Sequence, residues 1–392
     1  MKKSKLIPLS VPNLSLDILE NVKDTIETGW VSTGGRFISE FEEKIAQYVG
    51  VEKAISTQSG TAGLHLALKV LDVSSDDEVI VPTLTFIAAV NPVKYVGAEP
   101  IFMDCDETLN MDMDKLEIFL NDECDFINNK TINKKTRKHI KALIIVHVFG
   151  NPANMDKLMH LASEFNLKIV EDATEALGSF FLDGKFKGKH CGTIGDIGVY
   201  SFNANKIITT GGGGMIVSND LTLLDKANFL GVQAKTDSLY FVHDEIGYNY
   251  RMTNIQAAFG KSQVDKLEEF ITTKISNYNL YKNKLAEIDG LRLLSFRDDC
   301  RCNHWFYSVI VDSSKYGMNR DQLLNKLIDN NIQSRPVWRL IHKQKPYLQC
   351  QTFRIEKALR YEESLLNIPC SSNLLEEDLE RVIQILDGKE MI

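Results

Sequence analysis

Short Val/Ile-rich runs recur through roughly the first two-thirds of the chain, and stretches of helical periodicity separate them. Such runs read as strands joined by helical crossovers, which builds a largely parallel sheet covered on both sides. The predicted strands are Glu78–Pro82, Glu99–Met103, Ala142–Val148, Lys168–Asp172, Ile197–Phe202 and Gly214–Ser218. The predicted helices between them include Thr61–Leu71, Ala88–Val96 and Met155–Phe165. From Asn254 to about Ile288 the pattern turns helical and charged. A strand at Trp305–Val311 and helices at Arg320–Asn330 and Glu376–Leu386 then indicate a smaller α+β unit. The spacing places a boundary near Lys266, giving domains at 1–265 and 266–392, within the range expected of 392 residues. Asn121–His139 is polar and Lys/Asn-rich and reads as a surface excursion.

Charge narrows the partners. Lys plus Arg total 45 against 53 Asp plus Glu, a formal charge of −8 with no basic tract. Nucleic acid and anionic membrane surfaces are thereby excluded as main partners, and a phosphorylated ligand must be held by local donors. The cysteines at 105, 124, 191, 300, 302, 350 and 370 are odd in number and without framework spacing, which suits reduced thiols in a cytoplasmic protein. The start, Met1 to Pro8, has a charged head but no long apolar core behind it, so it is not expected to be a signal peptide. No run of apolar residues is long enough to suggest a membrane span.

Ligands of open α/β sheets collect beyond the carboxyl ends of the strands. Ser59-Gly60-Thr61 opens the helix there, and its free N–H groups suit a phosphate, although Ser-Gly-Thr is also an ordinary helix cap. Asp172 ends a buried strand, where a carboxylate needs a cation or several donors, or else caps the following turn. Ser201 to Lys206 precedes four consecutive glycines, Gly211 to Gly214, and Lys206 could reach the same crevice as Asp172. Other patterns fail. Gly184 to His190 imitates a Walker loop with one residue too few and His where Ser or Thr is needed. Cys300-Arg301-Cys302-Asn303-His304 lacks a second ligand pair, so no metal site is expected. His65 and His147 read as core histidines.

Taken together these segments resemble the DegT/StrS family of pyridoxal-phosphate-dependent sugar-nucleotide aminotransferases. The likeness runs over almost the whole chain. It rests on Gly29 to Gly34, Ser59-Gly60-Thr61, Pro82 to Phe86, Glu171 to Ala176, Gly195 to Phe202, the Lys206 segment, Gly247 to Met252, and Arg335 through His342. The branch it most resembles is the LegC type, which aminates a nucleotide-linked 4-keto-6-deoxy-N-acetylhexosamine toward legionaminic acid. The resemblance implies an aspartate-aminotransferase-type (fold type I) α/β architecture, with a large mostly parallel-sheet domain and a smaller C-terminal α+β domain. It implies Lys206 as the Schiff-base lysine and proton carrier, and Asp172 as partner of the pyridinium nitrogen. Phe86 would stack on the ring, while Ser59, Gly60, Thr61 and Ser201 would hold the phosphate. Glu175 stands where many relatives carry Gln or His near the phenolic oxygen; there it would be protonated or turned toward a cation. Asn249 would reach the phosphate of a partner subunit, making a homodimer with shared sites. Trp30, Ser32 and His342 would line the sugar-nucleotide cleft.

The implied reaction is ping-pong transamination, with L-glutamate as donor, pyridoxamine phosphate as the intermediate form of the cofactor, and UDP-2-acetamido-2,6-dideoxy-hexos-4-ulose as acceptor. A sugar dehydratase or a non-catalytic sensory paralogue is the alternative. Dehydratases of the family replace the lysine, and paralogues that only bind lose Lys206 or Asp172; this chain keeps both.

Overall fold

The computed structural model describes residues 5–237 and 239–388; the charged start at Met1–Ser4 lies outside them. Its centre is a ten-stranded sheet. In spatial order the main path runs Ala54–Thr57, Gly214–Val217, Ile197–Ser201, Lys168–Asp172, His139–Val146, Asp77–Pro82, Glu99–Met103 and Gln351–Phe353. From Ile197–Ser201 onward every neighbour on this path is parallel, and Gly214–Val217 is antiparallel to both of its neighbours.

Alternate residues of each strand enter opposite cores. Val79 and Val81 face one apolar cluster while Ile80 joins the other, and Ile144 and Val170 are likewise opposed to Leu143, Ile145 and Ile169. With both faces buried, neither side of the strand tolerates a polar run, which is why these segments read as continuous apolar stretches. Helix Gly60–Val70 is buried along nearly its whole length, consistent with a helix packed under the sheet.

Several elements differ from the sequence reading. The predicted helix Ala88–Val96 is a 3₁₀ turn at Ile87–Ala89 followed by a short helix, Asn91–Tyr95. Pro92 lacks an N–H and is accepted only in a first turn, so the helix restarts there. The polar excursion is a hairpin, Cys124–Ile127 with Lys130–Asn133, that docks antiparallel on His139–Val146. Its turn, Asn128-Asn129, has φ of 51° and 61°, the left-handed geometry of a tight two-residue hairpin that asparagine tolerates.

The C-terminal part builds a four-stranded antiparallel sheet ordered Leu291–Leu293, Tyr307–Val311, Leu365–Ile368 and Arg335–Pro336. It also returns Gln351–Phe353 to the edge of the large sheet. Beside that strand, buried Asp104 caps helix Lys357–Ser364. Its carboxylate accepts from the N–H groups of Glu356, Lys357 and Ala358 at 2.8–2.9 Å and from Lys115 Nζ at 2.7 Å. Among the described residues no helix is long and apolar enough to cross a membrane.

Candidate active site

Strands Lys168–Asp172 and Ile197–Ser201 end side by side, and helix Gly60–Val70 begins against them. A cavity of about 540 Å³ opens at this rim. Ser59, Gly60, Thr61, Phe86, Asp172, Glu175, Ser201 and Lys206 all line it.

The helix start is locked by close packing. A Cβ on Gly60 would stand 2.9 Å from Thr174 Cγ2 and 3.1 Å from Ser201 Cβ, so a side chain there would lift the helix off the strand. Ser59 Oγ accepts the Ala62 N–H at 3.1 Å and Ser59 C=O accepts that of Gly63. Of the four N–H groups a helix start leaves free, those of Gly60 and Thr61 remain for a ligand, at the positive end of the helix dipole. Capping and anion binding therefore coexist in this turn.

Adjacent strand residues point to opposite faces, which separates Glu171 from Asp172. Glu171 is fully buried and accepts from the N–H groups of Gly192, Ile194 and Gly195 at 2.5–2.8 Å. His147 Nδ1 accepts the Ala153 N–H, so its proton sits on Nε2, which donates to Glu171 at 2.9 Å. Burial works against the Glu171 charge, but these donors hold its carboxyl below the usual range. His147 is thus a satisfied core histidine. His65, packed among Tyr95, Tyr248 and Tyr250, is another. Asp172 faces the cleft, 3% exposed, with Oδ1 accepting the Thr174 N–H at 3.0 Å. Burial pushes its carboxyl upward, opposed by Thr174 and by the nearby Lys206 charge.

Lys206 follows the turn after Ser201, its N–H bonded to the Asn203 carbonyl. Nζ lies 3.8 Å from Glu175 Oε1 and 3.9 Å from the centre of the Trp305 ring. Burial lowers its affinity for a proton, partly offset by Glu175 and Asp172. Glu175 Oε2 accepts the Phe149 N–H at 2.8 Å, and burial pushes the carboxyl up to about 7 against the pull of Lys206. In this geometry Glu175 faces the Lys206 amine, and burial favours its protonated form.

Other expected residues lie elsewhere. Asn249 is exposed and bridges Val232. Trp30 and Ser32 are exposed, their carbonyls accepting from Asn254, and Trp30 belongs to a separate cavity with Asp24 and Arg36. His342 Nδ1 is 2.6 Å from Thr83 Oγ1. The sequence reading assigned no role to Trp305 or Arg335, which line the cleft from the C-terminal part. Trp305 follows directly on the Cys-Arg-Cys-Asn-His pattern, whose His304 ring instead packs against Tyr278 and Phe296. Among the described residues, no group of three or more His, Cys, Asp or Glu is arranged to hold a metal ion.

The donor set fits pyridoxal phosphate: two helix-start N–H groups for the phosphate, a buried carboxylate for a ring N–H, and a lysine lining the same cavity. Residues 12–387 match the DegT/DnrJ/EryC1/StrS aminotransferase family. The chain is 40% identical over 344 residues to GDP-perosamine synthase of Escherichia coli O157:H7, covering 88% of this chain and 87% of that one. It is 37% identical to GDP-perosamine synthase of Caulobacter vibrioides, covering 97% of each. The crystal structure of DesI in the presence of its TDP-sugar product superposes with a TM-score of 0.85 at 26% identity, over 98% of this chain and 94% of that one. The chain therefore belongs to the DegT/DnrJ/EryC1/StrS aminotransferase family, as a fold-type I, pyridoxal-phosphate-dependent sugar aminotransferase.

Proposed function

We propose that this protein transfers the amino group of L-glutamate to the keto carbon of a nucleotide-linked 4-keto-6-deoxy sugar. The observation that carries the reading is Lys206, set between Glu175 and Trp305 in the cleft that also holds Asp172 and the Gly60 helix start. Pyridoxal phosphate, when bound, supplies a carbonyl carbon that accepts nitrogen and a ring that spreads the charge left by a departing α-proton.

The side chains divide the remaining work. Lys206 Nζ, eased toward its neutral form by burial, is the nucleophile and then carries the proton between donor and acceptor carbons. Asp172, its Oδ1 fixed by the Thr174 N–H, would hold a proton on the ring nitrogen. The N–H groups of Gly60 and Thr61 and the Ser59 and Ser201 hydroxyls would take the phosphate, and Phe86 would stack on the ring. Glu175 would offer a proton toward the phenolic oxygen. The exposed positions of Trp30, Ser32 and Asn249 support a homodimer in which these residues serve the other copy's cleft. His342, held at the Thr83 end of the segment carrying Phe86, is assigned to the acceptor. We further propose a domain division near Lys266, and the free thiols support the cytoplasm as compartment.

The acceptor expected from sequence is the UDP-linked N-acetyl sugar of the LegC branch; the GDP sugars named for two relatives make a GDP-linked acceptor the second reading. Incubation with glutamate and UDP-, GDP- and dTDP-linked 4-keto-6-deoxy sugars, with mass detection of the amine, tests both. Amination of one or more is expected. Amine formation on none, with pyridoxal phosphate bound, overturns the proposal.

A further inference from the structure

The indole of Trp305 covers the Lys206 amine, and hydrogen bonds connect it to the Lys206 segment and to Glu175. Trp305 is 4% exposed, with Nζ of Lys206 3.9 Å from the ring centre. The indole Nε1–H donates to the carbonyl of Asn205, the residue next to Lys206, at 2.7 Å. The Trp305 backbone N–H donates to the Phe149 carbonyl at 3.1 Å, while the Phe149 N–H donates to Glu175. Asn303 closes the frame, its Nδ2 donating to the Glu175 carbonyl and its Oδ1 accepting from the Trp305 N–H. The turn that delivers the indole runs through His304 at φ 52°, a left-handed conformation sustained by this bonding.

We propose that Trp305 is a positioning residue: its ring face holds the ammonium form of Lys206 against the cleft wall and sets how readily the amine gives up its proton. An aromatic face attracts a cation and is indifferent to the neutral amine. It therefore opposes burial, which favours the neutral form, in the same sense as Glu175 and Asp172. These two carboxylates, together with Arg335 on the C-terminal wall, are the other charged groups lining the cleft among the described residues. The inference rests on Lys206 being the reactive amine.

The test replaces Trp305 site-specifically with progressively fluorinated tryptophans, which drain the ring face of electron density while keeping its shape. Full-length protein freed of cofactor is mixed with pyridoxal phosphate, and the absorbance of the Lys206-bound form reports the uptake rate against pH. The rate rises as the amine loses its proton, so the midpoint reports that step. The midpoint should fall stepwise with fluorination, by roughly half to one pH unit in all, and Trp305→Phe should fall between wild type and Trp305→Leu. An unmoved midpoint across the fluorinated series overturns the proposal, even where Trp305→Leu is unstable or slow. Lys206→Ala separates this from the underlying assignment: if it develops the same absorbance, the reading of Lys206 fails instead.

Discussion

At the scale of single residues, the cleft is organised around protons. Burial pushes the Glu175 carboxyl up to about 7, which favours its protonated form below that pH and its ionised form above it. Glu175→Gln keeps an acceptor for the Phe149 N–H and removes the titration. The pH profile of kcat/KM should then lose the limb near neutrality, with activity at low pH changed by less than about tenfold; a profile identical to wild type would make Glu175 a spectator. Arg335 is exposed on the C-terminal wall, with Nη1 donating to the Ser334 carbonyl, and no carboxylate pairs with it among the described residues. Both proposed substrates are anions. Arg335→Gln should therefore raise KM for glutamate and for the nucleotide sugar alike, each by roughly 10- to 100-fold for a charge-assisted bond of about 1.5–3 kcal/mol. Steady-state kinetics with each substrate varied will show whether one arginine serves both. Of these residues, Asp172 and Lys206 stood out only once the family resemblance was joined to their places near strand ends, since position alone left a helix cap and one lysine among many. Trp305 and Arg335 did not stand out, because nothing in a lone Trp or Arg says which wall of a cleft a distant strand will form.

Among elements, the interior strands were legible because their apolar runs must satisfy two cores at once. The edge strands Ala54–Thr57 and Gln351–Phe353 were not, being short and compositionally ordinary. The 124–133 hairpin was hidden by its polar surface; its buried Thr131 and Asn133 reach the Phe165 carbonyl and the Glu78 carboxylate. Contacts between elements are less visible still. Asp104 caps helix Lys357–Ser364 across some 250 residues of sequence. Burial works against its charge, but Lys115 and three N–H donors hold the carboxyl below its ordinary value. Its stabilising contribution is thus complete above the unfolded value of about 3.9 and fades as pH falls through the lower folded value. Asp104→Asn should cost about 2–4 kcal/mol near neutral pH, and urea melts should show that penalty shrinking in acid. Equal loss at every pH would mean that shape, not charge, is what the helix needs.

For the whole molecule, the residues left outside the cleft are the informative ones. Asn249 lies exposed, 249 − 206 = 43 positions beyond Lys206. The apolar side chains Leu239, Tyr240, Phe241 and Ile246 just before it are 70–85% exposed. A surface of this kind suits burial against a second copy. Mixing an inactive Lys206→Ala chain with an inactive Asn249→Asp chain tests shared sites. In the mixed dimer, the cleft with intact Lys206 receives its asparagine from the other chain, so up to one working site per dimer should reappear. No recovery after verified exchange would leave each cleft self-contained.

The strand Gln351–Phe353 also has a meaning in time. During synthesis the parallel sheet can be assembled long before residue 351 leaves the ribosome, so Glu99–Met103 waits as an open edge with unpaired N–H and C=O groups. The late strand Gln351–Phe353 then closes it, with the Asp104 cap as fastener. A nascent chain stalled near residue 300 would carry a nearly finished core and a sticky margin, the condition in which strands add to the wrong partner. Chaperone dependence should concentrate in that interval of translation.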